Sequence, residues 1–173
     1  MSGKHLVLVG LMGAEKTTVG LRCAQRLDRP FVDTDDLVVA TTGMTVAEIF
    51  DRHGEAKFRE LERAAVADAC ASPDPLVIAC GGGAVLDADT RKRLHTSGLV
   101  VWLQAPPAVL GARVGDGSTR PLLRDGSVAT LERLASLRAP AYEDAADVVV
   151  HTEDRTVDEV AARVIGELQS WSA

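Results

Sequence analysis

Between Gly10 and Thr18 the chain reads Gly-Leu-Met-Gly-Ala-Glu-Lys-Thr-Thr, directly after the apolar run Leu6 to Val9. This is a phosphate-binding loop of the pattern G-x-x-x-x-G-K-[ST], with Glu15 in place of the second glycine. In such a loop the backbone N–H groups from Gly10 through Met12, Gly13, Ala14 and Glu15 curl around phosphate oxygens. Lys16 reaches the outer phosphates, and the Thr17 hydroxyl, next to Thr18, binds Mg²⁺. The helix that starts here adds unpaired N–H groups and the positive end of its dipole. Glu15 brings a side chain where a left-handed backbone costs a non-glycine residue about 1 to 2 kcal/mol. A carboxylate about 5 Å from a phosphate charge is repelled by about 3 kcal/mol at an effective dielectric of about 20. Turned to solvent, it is screened and only the backbone cost is left. The residue types leave both geometries open.

Further along the chain, Asp33-Thr34-Asp35 closes a short apolar run. Carboxylates at the C-terminus of a parallel strand face the ligand crevice, Asp33 towards a metal and Asp35 towards an acceptor hydroxyl as base or positioner. Position alone suits the pair equally well to capping a following helix, with Asp36 the better cap of the three. Arg59 and Glu62 share one helix face, an arrangement more often found on a solvated surface than in a site. Gly81-Gly82-Gly83 follows another strand, and three glycines there let a ligand come close to the backbone. Arg120, before Pro121, is placed to swing onto a transferring phosphate, and Arg138 offers a planar fork for a carboxylate, as Arg59 does.

These residues need a scaffold, and the hydrophobic pattern supplies one. Short apolar runs at 6–9, 31–32, 76–79, 99–103 and 148–150 read as five strands buried on both faces. Helical patterns fall between them: 17–27, a capping box at Thr45 opening a helix that Gly54 closes, then 55–71, 88–96, 107–114, 128–137 and a final one opened by Thr156. Alternating strand and helix predicts a three-layer α/β fold, a five-stranded parallel sheet with helices on both faces. A glycine-rich, charged stretch over 115–126 reads as a flexible lid.

The totals narrow the function. With 173 residues and 46% hydrophobic content, a single domain over 1–173 is expected. A net charge of −6 and 3% aromatic residues argue against nucleic-acid binding and against a membrane surface. No apolar run is long enough for a membrane span, and Met1-Ser2-Gly3-Lys4 leads into the first strand without room for a signal peptide. Cys23, Cys70 and Cys80 suggest neither a disulfide framework nor a zinc site, so a reducing cytoplasm fits. The chain contains no Asn, which removes a GTPase that reads guanine with that residue. A monomer is expected.

Taken together, six ordered motifs resemble the shikimate kinase family, a branch of the nucleoside monophosphate kinase-like P-loop proteins. They are Gly10 to Thr17, Phe31-Val32-Asp33-Thr34-Asp35, Phe58-Arg59-x-x-Glu62, Gly81-Gly82-Gly83-Ala84, Thr119-Arg120-Pro121-Leu122-Leu123 and Arg138-Ala139-Pro140-Ala141-Tyr142. The resemblance implies the P-loop kinase fold and transfer of phosphate from ATP to the 3-hydroxyl of shikimate, a step of aromatic amino-acid biosynthesis. It further implies that Asp35, Arg59, Gly82 and Arg138 hold shikimate and that Arg120 closes over the phosphates. Thr17 and, through water, Asp33 would position Mg²⁺, and Arg113 and Arg155 would lie near adenine. A gluconate kinase shares much of this architecture; the Arg120-Pro121-Leu122-Leu123 and Asp33-Thr34-Asp35 elements favour shikimate. Two functions remain: a kinase acting on ATP and shikimate, or a non-catalytic or impaired shikimate-binding homologue whose nucleotide loop is spoiled by Glu15.

Overall fold

The structure is a computed structural model and describes residues 4–115 and 128–171. Five strands, β1 (His5–Val9), β2 (Phe31–Asp33), β3 (Val77–Ala79), β4 (Gly98–Gln104) and β5 (Val148–His151), form one parallel sheet in the order β2-β3-β1-β4-β5. The register sets Leu6 beside Val77 on one side and beside Leu99 on the other. Central β1 is buried along its whole length, and so is β3, which explains their uninterrupted apolar sequences. The edges depart from the expectation of full burial. All of β2 is half-buried and Val149 of β5 is exposed, because an edge strand lacks a neighbour on one side.

Among the described residues the helices are α1 (Lys16–Leu27), α2 (Thr34–Thr42), α3 (Val46–Cys70), α4 (Ala88–Ser97), α5 (Pro107–Val114), α6 (Val128–Ala145) and α7 (Val157–Trp171). Helices α1 and α7 pack on each other along one face, and α4 packs on β4 and against α3 and α6 on the other. The Thr45–Glu48 capping box opens α3 with both reciprocal bonds in place. Gly54, at φ 81° and ψ 170°, breaks the helical path without ending the segment. Three features differ from the sequence expectation. Helix α2 begins directly at the end of β2, and Asp33 rather than Asp36 is its N-cap, with Asp36 in the first turn. A short 3₁₀ turn spans Ala84–Leu86. Helix α6 runs through Pro140 to Ala145, because burial of Arg138, Tyr142 and Ala145 outweighs the local break that proline favours.

Strand β1 lies between β3 and β4, so the loop after it opens where the chain departs to both sides of the sheet, the usual place for a ligand crevice. The main core fills both faces around β1, β3 and β4; a smaller core of Val38, Ile49, Phe58 and Ala65 joins α2 to α3. The three cysteines are free thiols. No helix among the described residues is long and apolar enough to cross a membrane. Most of the proposed lid, including Arg120, lies outside the described residues.

Candidate active site

A cavity of about 540 Å³ opens at the C-terminal ends of β1, β2 and β3. Met12, Gly13, Glu15, Lys16, Thr17 and Thr18 form one wall, and Arg59, Glu62, Gly82 and Arg138 line another, with Asp33 and Asp35 also facing in. Arg113 stands at the loop side. Gly10 and Ala14 are buried under the loop; a Cβ on Gly10 would sit 2.5 Å from the Leu103 carbonyl oxygen, so only glycine fits there. Arg155 is exposed between β5 and α7 and is not part of this wall.

On the loop side, Lys16 Nζ donates to the carbonyls of Gly10 at 2.7 Å and Leu11 at 2.9 Å, bonds that curl the loop back over the helix start. Glu15 has φ 69° and ψ 27°, the left-handed conformation expected at the missing glycine, with a strain of about 1 to 2 kcal/mol. Its side chain makes no capping bond to α1. The two oxygens of Asp33 have different partners. Its Oδ1 accepts from the Asp35 N–H at 2.9 Å and caps α2, while its Oδ2 accepts from the Thr17 hydroxyl at 2.9 Å. Hydroxyl and carboxylate oxygens this close are hard donors of the kind Mg²⁺ takes alongside phosphate and water oxygens. Asp36 titrates above its ordinary value because of burial and the neighbouring Asp33 charge.

The opposite wall is built from side chains. Arg59 Nη1 donates to Glu62 Oε2 at 2.7 Å and Nη2 to Glu55 Oε1 at 3.2 Å. Glu62 is 2% exposed and Arg59 is half-buried, so this is not the solvated surface pair that its spacing suggests. Burial raises the Glu62 carboxyl above its usual value, although the Arg59 and Arg138 guanidinium groups oppose the shift. Burial works against the charge of Arg59, but Glu62 and Glu55 together carry it above its ordinary value.

Arg138 is buried at 4% exposure, and four residues on, Tyr142 lies on the same helix face. The Tyr142 hydroxyl bonds with the Arg138 side chain and donates to the Gly82 carbonyl. Burial pushes this phenol up to about 12, with the Arg138 charge opposing, so it stays protonated. Its ring stacks on Trp102 at 5.2 Å between centroids.

The glycine triplet serves this cluster as much as a ligand. A Cβ at Gly81 would stand 2.5 Å from Glu62 Oε1 and 2.7 Å from Asp35 Oδ1, and one at Gly83 would overlap the Arg59 guanidinium. At Gly82 the nearest atom is Arg138 Nη1 at 3.3 Å, and this glycine lines the cavity with its backbone. Buried Thr34 accepts from the Gly81 N–H at 3.0 Å and ties the turn to α2. Cys80, beneath the turn, is held well above its usual thiol value by burial, which removes it as a nucleophile.

A loop that offers backbone N–H groups and a lysine to phosphate thus shares one cavity with two guanidinium groups and a carboxylate fit for an organic acid bearing a hydroxyl. The family model for shikimate kinase matches residues 12–169. The chain belongs to the shikimate kinase family. A shikimate kinase from Symbiobacterium thermophilum is 48% identical over 168 residues, covering 95% of this chain and 96% of that one. One from Dechloromonas aromatica is 45% identical, covering 85% of this chain and 80% of that one. Among solved structures, shikimate kinase from Acinetobacter baumannii in complex with shikimate superposes with a TM-score of 0.93 at 33% identity, covering 96% of this chain and 93% of that chain. The fold is the all-parallel P-loop α/β architecture of that family.

Sequence reasoning missed Val46 and Phe50, which line the cavity, and the hydrogen bonds by which Thr34 and Tyr142 hold Gly81 and Gly82. Tyr142 carried a usable signal, its i+4 spacing from Arg138. Thr34 carried none, because its partner Gly81 is 47 residues away.

Proposed function

We propose that the protein transfers the γ-phosphoryl group of ATP to the 3-hydroxyl of shikimate, giving ADP and shikimate 3-phosphate. The observation that carries this reading is the shared cavity, with the phosphate loop on one wall and the Arg59–Arg138 pair on the other. A volume of about 540 Å³ suits a small acid next to the phosphates of a nucleotide.

The loop N–H groups from Met12 to Thr18 and the Lys16 ammonium hold the β- and γ-phosphates. Lys16 exchanges its bonds to the Gly10 and Leu11 carbonyls for phosphate oxygens. Arg59 and Arg138 clamp the shikimate carboxylate, and the Gly82 backbone fixes the ring. Asp35 orients the 3-hydroxyl and accepts its proton as the phosphoryl group arrives. Thr17 and, through water, Asp33 would hold Mg²⁺, which when bound would neutralise phosphate charge. We assign Arg113 and Arg155 to the adenine side and Arg120 to the phosphates. Most of the rate gain comes from positioning and charge neutralisation, because the loose transition state of phosphoryl transfer leaves the protein little covalent chemistry.

The kinase reading is preferred to an impaired binding homologue because the relatives are named as kinases and the Glu15 carboxylate makes no bond to the helix start. One chain supplies every residue assigned here, in keeping with a monomer, and free thiols suit a reducing cytoplasm. A coupled assay of ADP release tests the proposal. Release that needs both shikimate and Mg²⁺ and does not occur with gluconate supports it; equal release with gluconate replaces the acceptor.

A further inference from the structure

The Arg113 guanidinium, near the end of α5, is anchored at several points. Nη1 donates to the Gly13 carbonyl at 3.2 Å and to Thr152 Oγ1 at 2.9 Å, Nη2 donates to the Thr152 carbonyl at 3.1 Å, and Nη2 lies 3.9 Å from Glu15 Oε2. Thr152 is fully buried, so the guanidinium is held in place by the protein before Glu15 is considered. Its attraction for the carboxylate therefore requires little additional ordering. The Glu15 and Arg113 side chains are 28% and 22% exposed, and solvent screens a half-buried pair less than a surface one.

Glu15 is the N-cap of α1. A side-chain oxygen at an N-cap can accept hydrogen bonds from the first N–H groups of the helix. Those are the N–H groups that a phosphate needs, so a self-capping Glu15 would occupy the anion cradle itself. It makes no such bond and instead faces Arg113.

We propose that Arg113 is a positioning residue for the phosphate loop: it holds the Glu15 carboxylate aside and neutralises it, which makes a loop lacking its second glycine competent for nucleotide. The idea rests on the assignment of this cavity to ATP, and it predicts that Glu15 is tolerated only while Arg113 is present.

The test is a double-mutant cycle read by calorimetric titration with MgADP in the absence of shikimate. Glu15→Gln retains the side chain and the left-handed backbone but removes the charge. In the native background it tightens MgADP by less than about threefold; in an Arg113→Ala background it tightens it by at least about tenfold. Any direct contact between Arg113 and nucleotide is lost in both arms of that background and cancels. Thr152→Val, which removes one anchor of the guanidinium while leaving Arg113 in place, shifts the Glu15→Gln effect in the same direction and serves if Arg113→Ala does not fold. Equal effects of Glu15→Gln in all backgrounds, within about twofold, overturn the proposal. Failure of the native chain to bind MgADP overturns it together with the ATP assignment. Failure to bind shikimate alone overturns the acceptor and leaves the cycle standing.

Discussion

The phosphate loop and the glycine turn face each other across one cavity and are built in opposite ways. The loop takes its shape from neighbouring backbone: Lys16 bonds to carbonyls five and six residues back, and the start of α1 follows at once. The glycine turn is shaped by residues distant in sequence. Thr34, Glu62, Arg59, Arg138 and Tyr142 all press on Gly81, Gly82 or Gly83. A local device can absorb an irregular residue such as Glu15 for the cost of some backbone strain, whereas a turn packed among buried charges has no such slack. Substitutions in the loop should therefore alter nucleotide handling and leave the fold intact, and substitutions around the turn should alter shikimate handling and stability together.

The largest effect is expected on the loop side. Lys16→Met removes the donor assigned to the phosphates and should lower kcat about a thousandfold, on the order of 4 kcal/mol, with shikimate affinity within about twofold of native. A matching loss of shikimate affinity in calorimetry would break the division between the two walls. On the acceptor side, Arg138→Ala removes the buried guanidinium assigned to the carboxylate and should weaken shikimate binding about a hundredfold, about 3 kcal/mol, while MgADP binds as before.

Gly81→Ala sharpens the contrast further. The added Cβ meets Glu62 and Asp35, and overpacking of this kind costs about 1 to 3 kcal/mol, which should appear as a lowered Tm together with weakened shikimate binding. An unchanged Tm would mean that the buried carboxylates yield freely. Tyr142→Phe leaves the Gly82 carbonyl without its phenol donor, a loss of about 1 to 2 kcal/mol. Its signature is a raised KM for shikimate with kcat and the KM for ATP nearly native, since the phenol bonds to Gly82 and Arg138 and Tyr142 does not line the cavity itself.

The smallest effect concerns pH. The Glu62 carboxyl titrates above its ordinary value, so just above that value the native state binds more protons than the unfolded chain. Stability contributed by this group is present below the ordinary Glu value and is lost as pH rises through the raised one. Glu62→Gln should flatten that part of the stability curve relative to native. Parallel curves for the two proteins would place the Glu62 carboxyl in its normal range.

The same division explains how much could be read from the sequence. Strands β1, β3 and β4 were legible because burial on both faces leaves continuous apolar runs, and the phosphate loop because its spacing is a local code. The left-handed backbone at Glu15 followed from the missing glycine. The burial of Glu62 beside a half-buried Arg59 was not legible, since an i,i+3 ion pair looks the same on a surface as in a core. Nor was the continuation of α6 through Pro140, which depends on what Arg138 and Tyr142 meet across the turn. Asp33 escaped a single assignment because its two oxygens do different work, one capping α2 and the other accepting from Thr17.

The central claim is that the two walls work on one reaction despite Glu15. Phosphorus NMR of the native chain with ATP, Mg²⁺ and shikimate tests it most directly, because it follows both the donor and the product. The account predicts loss of the γ-phosphate resonance of ATP with matching growth of ADP and of one new phosphomonoester, and no change when shikimate is left out. Intact ATP in the presence of bound shikimate would contradict it and leave a binding protein in place of a kinase.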